Sequence, residues 1–363
     1  MSHMAHALSL AKRALGSVSP NPPVGAVVVK EGEVVGEGYT QPPGGPHAER
    51  VALEHAGPLA AGAVLYTTLE PCSHHRRTPP CTDAIVAAGI VEVRAAMRDP
   101  NPAVSGGGVE VLRERGLRAS VGELSEQANK VVEAYVKFVT TGRPMVTAKF
   151  AMSLDGKIAT RNGDSQWITG DVAREHVHLL RATRDAIMVG ANTVLADDPR
   201  LTARDGDIRL ERQPLRVVVD SHGVTPTEAA MLREPGETLV AVADATSETA
   251  ERLRSAGAEV VFLPSPDSRV DLEALIQALG ERGVTSVMVE GGGSLLGALF
   301  DARLVDKVMA FVAPTIIGGR EAPTAVMGKG VARLAEAFRL ENIGFDQVGR
   351  DIAVVGYVPK PQR

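Results

Sequence analysis

Two cysteines and one histidine are the side chains of this sequence whose types and spacing best suit a metal ion. His47 begins the triplet His47-Ala48-Glu49, and the only cysteines, Cys72 and Cys81, each follow a proline. A catalytic zinc ion is held by three protein ligands, and its open fourth position binds a water whose pKa falls to about 7. His47, Cys72 and Cys81 would supply such an incomplete set of ligands.

Glu49 stands where a proton carrier would be needed beside that metal. Zinc nucleobase deaminases combine His-x-Glu with a Pro-Cys arrangement, and their glutamate acts as an acid and base rather than as a ligand. Those enzymes usually carry Cys-x-x-Cys, whereas eight residues separate Cys72 from Cys81, so the inserted segment must loop out and return. The pattern predicts hydrolytic deamination of a nucleobase-like ring.

Other interpretations of the same residues stay open at this point. Cys72 and Cys81 could be small buried apolar side chains, and His74 or His75 could complete a structural zinc site as a fourth ligand. The segment His74-His75-Arg76-Arg77 could contact an anionic substrate or lie in a solvated loop. We favour the catalytic site because its three ligands occur together, each beside a proline or an expected helix start.

The elements that must position these residues form two α/β series. The length of 363 residues is about twice that of an average domain. Segments with strand composition alternate with helical patterns in both halves, which predicts layered α/β domains with some parallel pairing. A long helical pattern over 124–139 ends at Thr140-Thr141-Gly142-Arg143-Pro144. We therefore expect one domain over 1–144 and a second over 145–363.

The expected elements place the candidate ligands at element ends. A helix over 47–55 would begin at His47, and another over 82–88 would follow Cys81. In the second half we expect a loop over 193–204 and strands over 145–150, 186–189, 215–220, 238–242, 260–263, 286–290 and 307–312.

The second half contains a strand, a glycine turn and a helix in succession. Gly291-Gly292-Gly293-Ser294 separates the strand over 286–290 from an apolar helix over 295–300. Backbone amides at such a helix start can bind phosphate, although a turn of this kind is at least as often structural. It differs from the dinucleotide fingerprint Gly-x-Gly-x-x-Gly, so a Rossmann domain is not indicated.

Composition weighs against several classes of partner. The formal net charge is -5 and aromatic residues make up 3% of the chain, whereas nucleic-acid binding usually needs a basic face or stacking aromatics. No apolar run approaches the ~18 residues of a membrane span, and the N-terminus lacks a signal peptide's charged start and apolar block. We expect a cytoplasmic protein, where a cysteine pair more often binds metal than forms a disulfide.

Several longer motifs together resemble the bifunctional riboflavin-biosynthesis deaminase/reductase family, over nearly the whole chain. The first half carries Ser19-Pro20-Asn21-Pro22-Pro23-Val24-Gly25, His47-Ala48-Glu49, Thr68-Leu69-Glu70-Pro71-Cys72-Ser73-His74, Arg77-Thr78-Pro79-Pro80-Cys81 and Met97-Arg98-Asp99-Pro100-Asn101-Pro102. The second half carries Lys149-Phe150-Ala151-Met152-Ser153-Leu154-Asp155-Gly156, the segment 165–169, Leu180-Arg181-Ala182, Thr193-Val194-Leu195-Ala196-Asp197-Asp198-Pro199 and Glu290-Gly291-Gly292. The eight-residue gap between the cysteines is that family's own spacing.

The resemblance implies a fold and a pair of reactions. It implies an N-terminal cytidine-deaminase-like three-layer α/β domain and a C-terminal dihydrofolate-reductase-like α/β domain. The first would use zinc to deaminate 2,5-diamino-6-(5-phosphoribosylamino)pyrimidin-4-one, and the second would use NADPH to reduce the ribosyl group to ribityl. The substrate would be a phosphorylated small molecule rather than a nucleic acid or a membrane, and the protein a homo-oligomer, dimer or tetramer.

The resemblance also implies roles for individual residues. It assigns one zinc ion to His47, Cys72 and Cys81, and proton transfer to Glu49. It assigns substrate binding to Asn21, His74, Arg77, Ser165, Arg181, Leu201, Arg204 and Glu290. It assigns the cofactor to Ala151, Trp167, Thr193, Asp197, Ser221, Gly292, Gly293, Ser294, Leu295, Leu296, Gly297 and Ala298. We expect Lys149 and Asp197 to handle protons during reduction.

Two rival interpretations and one departure from the family pattern accompany these expectations. A nucleic-acid-editing deaminase would share the zinc chemistry but should show a basic surface, and a non-catalytic protein with a structural zinc would turn over neither substrate. The departure is Arg76, which stands where a glycine is common before Arg-Thr-Pro-Pro. It bears on the loop conformation and not on the zinc ligands.

Overall fold

A computed structural model describes residues 2–73, 80–102, 107–206 and 208–359 of the protein. The chain divides into two compact units, Met1–Arg143 and Pro144–Arg363, and each is an α/β structure in its own right. Among the described residues, no helix is long and apolar enough to cross a membrane.

The first unit is built on a five-stranded sheet with helices on both faces. Its strands are β1 (Gly25–Lys30), β2 (Glu33–Tyr39), β3 (Val64–Thr67), β4 (Glu92–Ala95) and β5 (Arg118–Val121), in the spatial order β2-β1-β3-β4-β5. Its helices are α1 (His3–Arg13), α2 (Ala48–Ala56), α3 (Cys81–Ala87), α4 (Gly108–Glu114) and α5 (Ser125–Thr141). Strand β1 is antiparallel to β2 and β3, whereas β3, β4 and β5 run parallel.

Strand β1 shows why this sheet is covered on both faces. Ala26 and Val28 belong to an apolar cluster with residues of α2, α3 and α4. Val27 and Val29 alternate with them and pack in a second cluster with residues of α1. Because successive side chains of a strand point to opposite faces, an uninterrupted apolar strand requires two covering layers. The expected three-layer arrangement is confirmed.

Helix α2 lies directly on strand β2, where glycines replace larger side chains. A Cβ atom at Gly36 would lie 2.2 Å from the carbonyl oxygen of Ala52, and one at Gly38 would lie 2.6 Å from that of Ala48. Neither glycine has a positive φ, so close approach and not backbone conformation accounts for the residue type. The contact fixes the position of the helix that begins next to His47.

The second unit contains a larger sheet. The strands of this unit are β6 (Met145–Ser153), β7 (Ala186–Gly190), β8 (Arg204–Asp205), β9 (Ile208–Arg209), β10 (Leu215–Val219), β11 (Thr238–Val242), β12 (Glu259–Phe262), β13 (Ser286–Val289), β14 (Lys307–Ala313), β15 (Glu341–Val348) and β16 (Asp351–Tyr357), and nine of them form the larger sheet. Its helices are α6 (Asp171–Ala182), α7 (Ala191–Asp197), α8 (Ser247–Ser255), α9 (Leu272–Glu281) and α10 (Gly293–Asp301).

Most of this sheet is parallel. The spatial order is β12-β11-β10-β7-β13-β6-β14-β16-β15, and β8 pairs separately with β9. All neighbours from β12 to β14 run parallel, and β16 and β15 are added in antiparallel orientation. The carboxyl ends of the parallel strands therefore meet at one edge, the usual place for ligands in such sheets.

The seven strands expected in the second half are all present, and two differences from expectation stand out. The segment expected to be a loop over 193–204 begins inside helix α7. The antiparallel hairpin of β15 and β16 follows the last expected strand, and β15 is exposed along nearly its whole length. Because this strand is exposed, only Ile343 and Phe345 alternate with polar or small residues, which is too short a pattern to predict a strand.

Candidate functional sites

The three candidate metal ligands meet at one end of the first unit. His47 is the N-cap of α2, Cys72 follows β3, and Cys81 is the first residue of α3. Their ligand atoms lie within 4.8 Å of one another. His47 Nδ1 is 3.6 Å from Cys72 Sγ and 3.3 Å from Cys81 Sγ. Tetrahedral zinc with Zn–S near 2.3 Å and Zn–N near 2.0 Å requires an S···N separation of about 3.5 Å, so the donor set fits zinc.

The start of helix α3 holds the two sulfur atoms together. The backbone N–H of Cys81 donates to Cys72 Sγ at 3.3 Å, and the N–H of Thr82 donates to the Cys72 carbonyl at 3.2 Å. Orphan N–H groups at a helix start favour a thiolate. The predicted substrate residues His74 and Arg77, together with Arg76, lie outside the described residues.

Electrostatics in this cluster favour one thiolate and disfavour further negative charge. Its hydrogen bond with Cys81 lowers the pKa of the Cys72 thiol. The same bond, followed by burial, raises the pKa of Cys81. The bond with Cys72 raises the pKa of His47. Protons on Cys81 and His47 therefore reduce the repulsion among the three donor atoms. A divalent cation would take the place of these protons, because metal binding releases protons from its ligands.

Glu49 lies in the first turn of α2 and is only 4% exposed. Burial raises the pKa of its carboxyl group to about 7, and the charge on Cys72 adds to the increase. A buried carboxyl group that titrates near neutrality can both accept and release a proton at pH 7. Asn21, by contrast, lies in the loop before β1, and no described hydrogen bond joins its side chain to the three ligands.

Glu70, which is not one of the predicted site residues, joins two other segments to the loop that carries Cys72. Its buried carboxylate accepts hydrogen bonds from the N–H groups of Asp99 at 3.2 Å and Val109 at 3.0 Å. Helix α4 consequently begins against the cysteine loop, where a Cβ atom at Gly108 would lie 1.9 Å from the carbonyl oxygen of Pro71. The only sequence signal for this role was the position of Glu70 immediately before Pro71-Cys72.

A buried group of charges forms the centre of the second unit's candidate site. Arg181 on α6 donates to Glu290 through Nε at 2.6 Å and Nη2 at 2.9 Å, and Lys149 Nζ on β6 lies 3.9 Å from Glu290 Oε2. Burial lowers the pKa of Lys149. Burial opposes ionisation of Glu290, but Arg181 holds the pKa of that carboxyl group below its ordinary value. The structure thus joins three of the predicted residues.

The remaining predicted substrate residues lie on neighbouring segments. Ser165 donates through Oγ to Asp197 Oδ1 at 3.2 Å. Leu201 is buried with φ of 52°, and Arg204 Nε donates to Thr202 Oγ1 at 2.9 Å. Arg181 Nη1 donates to the Thr202 carbonyl at 3.2 Å, which links this segment to the charged group.

The predicted cofactor residues follow the carboxyl ends of adjacent parallel strands. Ala151 lies near the end of β6, Thr193 follows β7, Ser221 follows β10, and Gly292 follows β13. A Cβ atom at Gly292 would lie 3.2 Å from Thr193 Oγ1, so any larger residue would fill the space beside Thr193. The glycine therefore leaves room for a ligand at the sheet edge, which fits a dinucleotide phosphate at a helix start.

Two glycines of the same turn face the protein's own backbone. Cβ atoms at Gly293 and Gly297 would lie 2.5 Å and 2.2 Å from the carbonyl oxygens of Thr324 and Met327. Leu295 and Leu296 are buried in the core, whereas Ser294 is exposed and Ala298 is half-buried. These glycines allow the segment 324–328 to pack across α10, and that packing alone explains the absence of side chains there.

Trp167 is the only tryptophan and is 65% exposed. The guanidinium of Arg174 lies 4.5 Å from the centre of its ring. One open cavity of about 530 Å³ is lined by Trp167, Thr169, Arg174 and Arg350. It offers a ligand one aromatic face and two cations.

Comparison with known proteins covers both units. Residues 1–97 match the family described as the cytidine and deoxycytidylate deaminase zinc-binding region, and residues 144–354 match the RibD C-terminal domain. The riboflavin biosynthesis protein RibD of Escherichia coli is 42% identical over 364 residues, covering 97% of each chain. The RibD of Mycobacterium tuberculosis is 42% identical over 340 residues, covering 93% of this chain and 91% of that one.

Solved structures agree over the same length. Acinetobacter baumannii RibD superposes with a TM-score of 0.87 at 36% identity, covering 98% of each chain. The diaminohydroxyphosphoribosylaminopyrimidine deaminase/5-amino-6-(5-phosphoribosylamino)uracil reductase of Thermotoga maritima superposes with a TM-score of 0.84 at 38% identity, covering 98% of this chain and 97% of that one. The expected deaminase-like and dihydrofolate-reductase-like folds are confirmed, and the chain belongs to the RibD family of riboflavin biosynthesis proteins.

Proposed function

We propose that the protein catalyses two successive steps of riboflavin biosynthesis. The first is hydrolytic deamination of 2,5-diamino-6-(5-phosphoribosylamino)pyrimidin-4-one, in a domain over 1–144. The second is NADPH-dependent reduction of the ribosyl group to ribityl, in a domain over 145–363. The observation that carries the proposal is the likeness, over both units, to a Thermotoga maritima protein named for both activities.

His47, Cys72 and Cys81 would hold one zinc ion per chain. The donor set of two sulfurs and one imidazole nitrogen, with separations suited to tetrahedral zinc, supports this assignment. When bound by three protein ligands, zinc supplies a water nucleophile at neutral pH. Glu49, buried beside Cys81, would take up a proton and deliver it to the ring nitrogen and the departing amine. Asn21, His74 and Arg77 are proposed to contact the substrate of this step.

The reductase step needs a proton as well as a hydride, which NADPH supplies when bound. Opening the ribose ring breaks its C1–O bond, and the released oxygen must be protonated. Lys149 is suited to this because burial makes its ammonium group a stronger acid. Asp197, next to Ser165, is the second proposed proton carrier. We assign substrate binding to Ser165, Arg181, Leu201, Arg204 and Glu290.

The cofactor assignment rests on the edge of the parallel sheet. Ala151 lies near the end of β6, and Thr193, Ser221 and Gly292 follow the ends of β7, β10 and β13. Asp197 ends the helix that carries Thr193. We also assign NADPH contacts to Trp167 and to the turn from Gly293 through Ser294, Leu295, Leu296, Gly297 and Ala298. Because their side chains are absent or buried, Gly293, Gly297 and the two leucines could contribute only backbone groups.

We further propose that the protein is a cytoplasmic homo-oligomer that associates through the hairpin of β15 and β16. Strand β15 is the outermost strand of its sheet, and such an edge can pair with a second copy of itself about a two-fold axis. Phe345 and Ile352 are 70% and 49% exposed. Ile352 pairs with Gln347, and Phe345 lies two residues before Gln347 on the same face of β15, so both apolar side chains lie on one face of the hairpin.

The proposed function is tested by incubating the purified protein with the diaminopyrimidinone phosphate, with and without NADPH. We expect ammonia release without NADPH and the ribityl product only when NADPH is added. Salt-sensitive deamination of RNA or DNA, or zinc binding without turnover of either substrate, would contradict the proposal in favour of a rival interpretation.

Substitution Glu49→Gln separates the role of Glu49 from metal binding. The amide cannot carry a proton between water and substrate, so ammonia release should fall by at least about 10². Zinc content, and reduction of the separately supplied deaminated substrate, should stay at the wild-type level. Lost zinc or unaffected deamination would refute the proton-transfer role of Glu49.

Substitution Gly108→Ala tests whether the start of α4 positions the cysteine loop. The added methyl group would overlap the Pro71 carbonyl oxygen, so the loop carrying Cys72 must move. We expect zinc affinity to fall by about tenfold or more, measured by competition with a chromogenic chelator. Gly344→Ala, where a Cβ atom meets nothing within 4 Å, is the matched control, and equal affinities in both variants would contradict the prediction.

Substitution Lys149→Met tests the proposed proton donor while keeping an unbranched side chain. We expect the reductase kcat to fall by about 10² or more, with the KM for NADPH and the deaminase rate unchanged. Lys329→Met is the control, because it removes one positive charge from an exposed lysine. A Lys149→Met enzyme that retains the wild-type kcat would rule out this role.

Substitution Phe345→Asp tests the proposed association surface. A charge on the apolar face of the hairpin should dissociate the oligomer into monomers, as measured by size-exclusion chromatography with light scattering. Leu334→Asp places the same charge at another exposed apolar residue, which is 84% exposed. A monomeric wild-type protein, or a Phe345→Asp protein of unchanged mass, would argue against the surface.

A further inference from the structure

The segment of Leu201, Thr202, Ala203 and Arg204 has an unusual setting for a ligand-binding loop. Its first three residues are 3%, 1% and 0% exposed, and Leu201 has a left-handed backbone conformation with φ of 52°. A buried loop must find hydrogen-bond partners for its backbone groups within the protein. Side chains from two other segments supply them.

The side-chain amide of Gln213 pairs with the backbone of this loop on one side. Its Oε1 accepts from the N–H of Ala203 at 2.8 Å, and its Nε2 donates to the Ala203 carbonyl at 3.1 Å and to the Leu210 carbonyl at 2.6 Å. Both donors and an acceptor of the amide are thus in use. Gln213 lies two residues before β10, so it joins the loop to the sheet.

Helix α6 holds the loop on its other side. His178 Nδ1 is 3.1 Å from the Thr202 carbonyl, and Arg181 Nη1 donates to the same oxygen at 3.2 Å. Arg181 also forms the two hydrogen bonds to Glu290 described above. The loop is therefore held between the buried charged group and Gln213, and the Thr202 carbonyl and the Ala203 N–H that they bind belong to the same peptide unit.

Arg204 takes its direction from this clamped segment. Its Nε donates to Thr202 Oγ1 at 2.9 Å, so a shift of the loop backbone would move the guanidinium with it. Gln213 carries no charge, and its three described hydrogen bonds all end on backbone groups. Any effect of this side chain on ligand binding must consequently pass through the geometry of the loop.

We propose that Gln213 is a positioning residue that sets Arg204 for the phosphorylated substrate of the reductase. The inference rests on the proposed function, and it adds a residue that neither binds the substrate nor takes part in proton transfer. It implies that losing the amide weakens substrate binding specifically, because the charged group and the cofactor edge keep their own contacts.

The test compares steady-state kinetics of the full-length wild-type enzyme with Gln213→Met, which has similar length but no amide. We expect the reductase KM for the deaminated substrate to rise by about tenfold, because the buried N–H of Ala203 loses its partner, the Ala203 carbonyl keeps only the N–H of Leu210, and the loop relaxes. The kcat should stay within about threefold, and the KM for NADPH and the deaminase rate within about twofold. The control is Gln277→Leu, which removes one hydrogen bond made by a side-chain amide on helix α9. This variant should behave as wild type.

A double-mutant cycle distinguishes positioning from a general loss of stability. If Gln213 acts through Arg204, adding Gln213→Met to Arg204→Ala should raise KM by less than about twofold beyond Arg204→Ala alone. Independent, multiplying effects would overturn the proposal, as would an unchanged substrate KM or an equal rise in the KM for NADPH.

A second variant covers the case in which Gln213→Met does not fold. Gln213→Glu keeps the acceptor toward the Ala203 N–H but turns a carboxylate oxygen toward two carbonyl oxygens, so it should also raise the substrate KM. A wild-type KM in this variant would overturn the inference. Failure of the proposed function would look different, since the wild-type enzyme itself would then reduce no substrate.

Discussion

At Gly36, Gly108 and Gly297 the backbone of one element lies so close to another that no side chain fits between them. Van der Waals repulsion at these contacts sets how closely helices α2, α4 and α10 approach the strand, the loop and the segment beside them. In the first unit, α2 carries His47 and Glu49, while α4 supports the loop that carries Cys72. In the second unit, the same kind of contact lets residues 324–328 cover α10. The positions of the elements at both sites therefore depend on glycines, whose lack of a side chain allows these close contacts.

Both sites also retain charge in places where water is largely excluded. A buried ion pair is seldom worth more to stability than well-packed apolar residues of similar volume. Arg181 and Glu290 with Lys149 nearby are thus poorly explained by stability alone, and such groups concentrate at functional sites. In the first unit, two thiols and a carboxyl group lie together with one imidazole, and a divalent cation is the simplest source of the missing positive charge.

How much of this was predictable depends on where each residue finds its partners. The convergence of His47, Cys72 and Cys81 was predictable because each lies beside a local signal, a proline or a helix start, that also fixes its place in the fold. The parallel strands were predictable because burial on both faces leaves uninterrupted apolar runs. The hairpin of β15 and β16 was not, since its outer strand is exposed and only two of its residues, Ile343 and Phe345, form an apolar alternation. Glu70 binds backbone groups 29 and 39 residues away, and Gln213 binds the backbone of an irregular loop, so neither set of partners follows from a pattern in one sequence.

The position of the single tryptophan has an optical consequence. Trp167 lies in the second unit, largely exposed, with the guanidinium of Arg174 stacked on its ring. Indole fluorescence of this protein therefore originates entirely from the unit that contains the dihydrofolate-reductase-like fold, and from a residue at its open cavity. Indole emission therefore reports on that cavity without any tryptophan background from the first unit, so the second unit can be followed by itself in an intact, unlabelled chain.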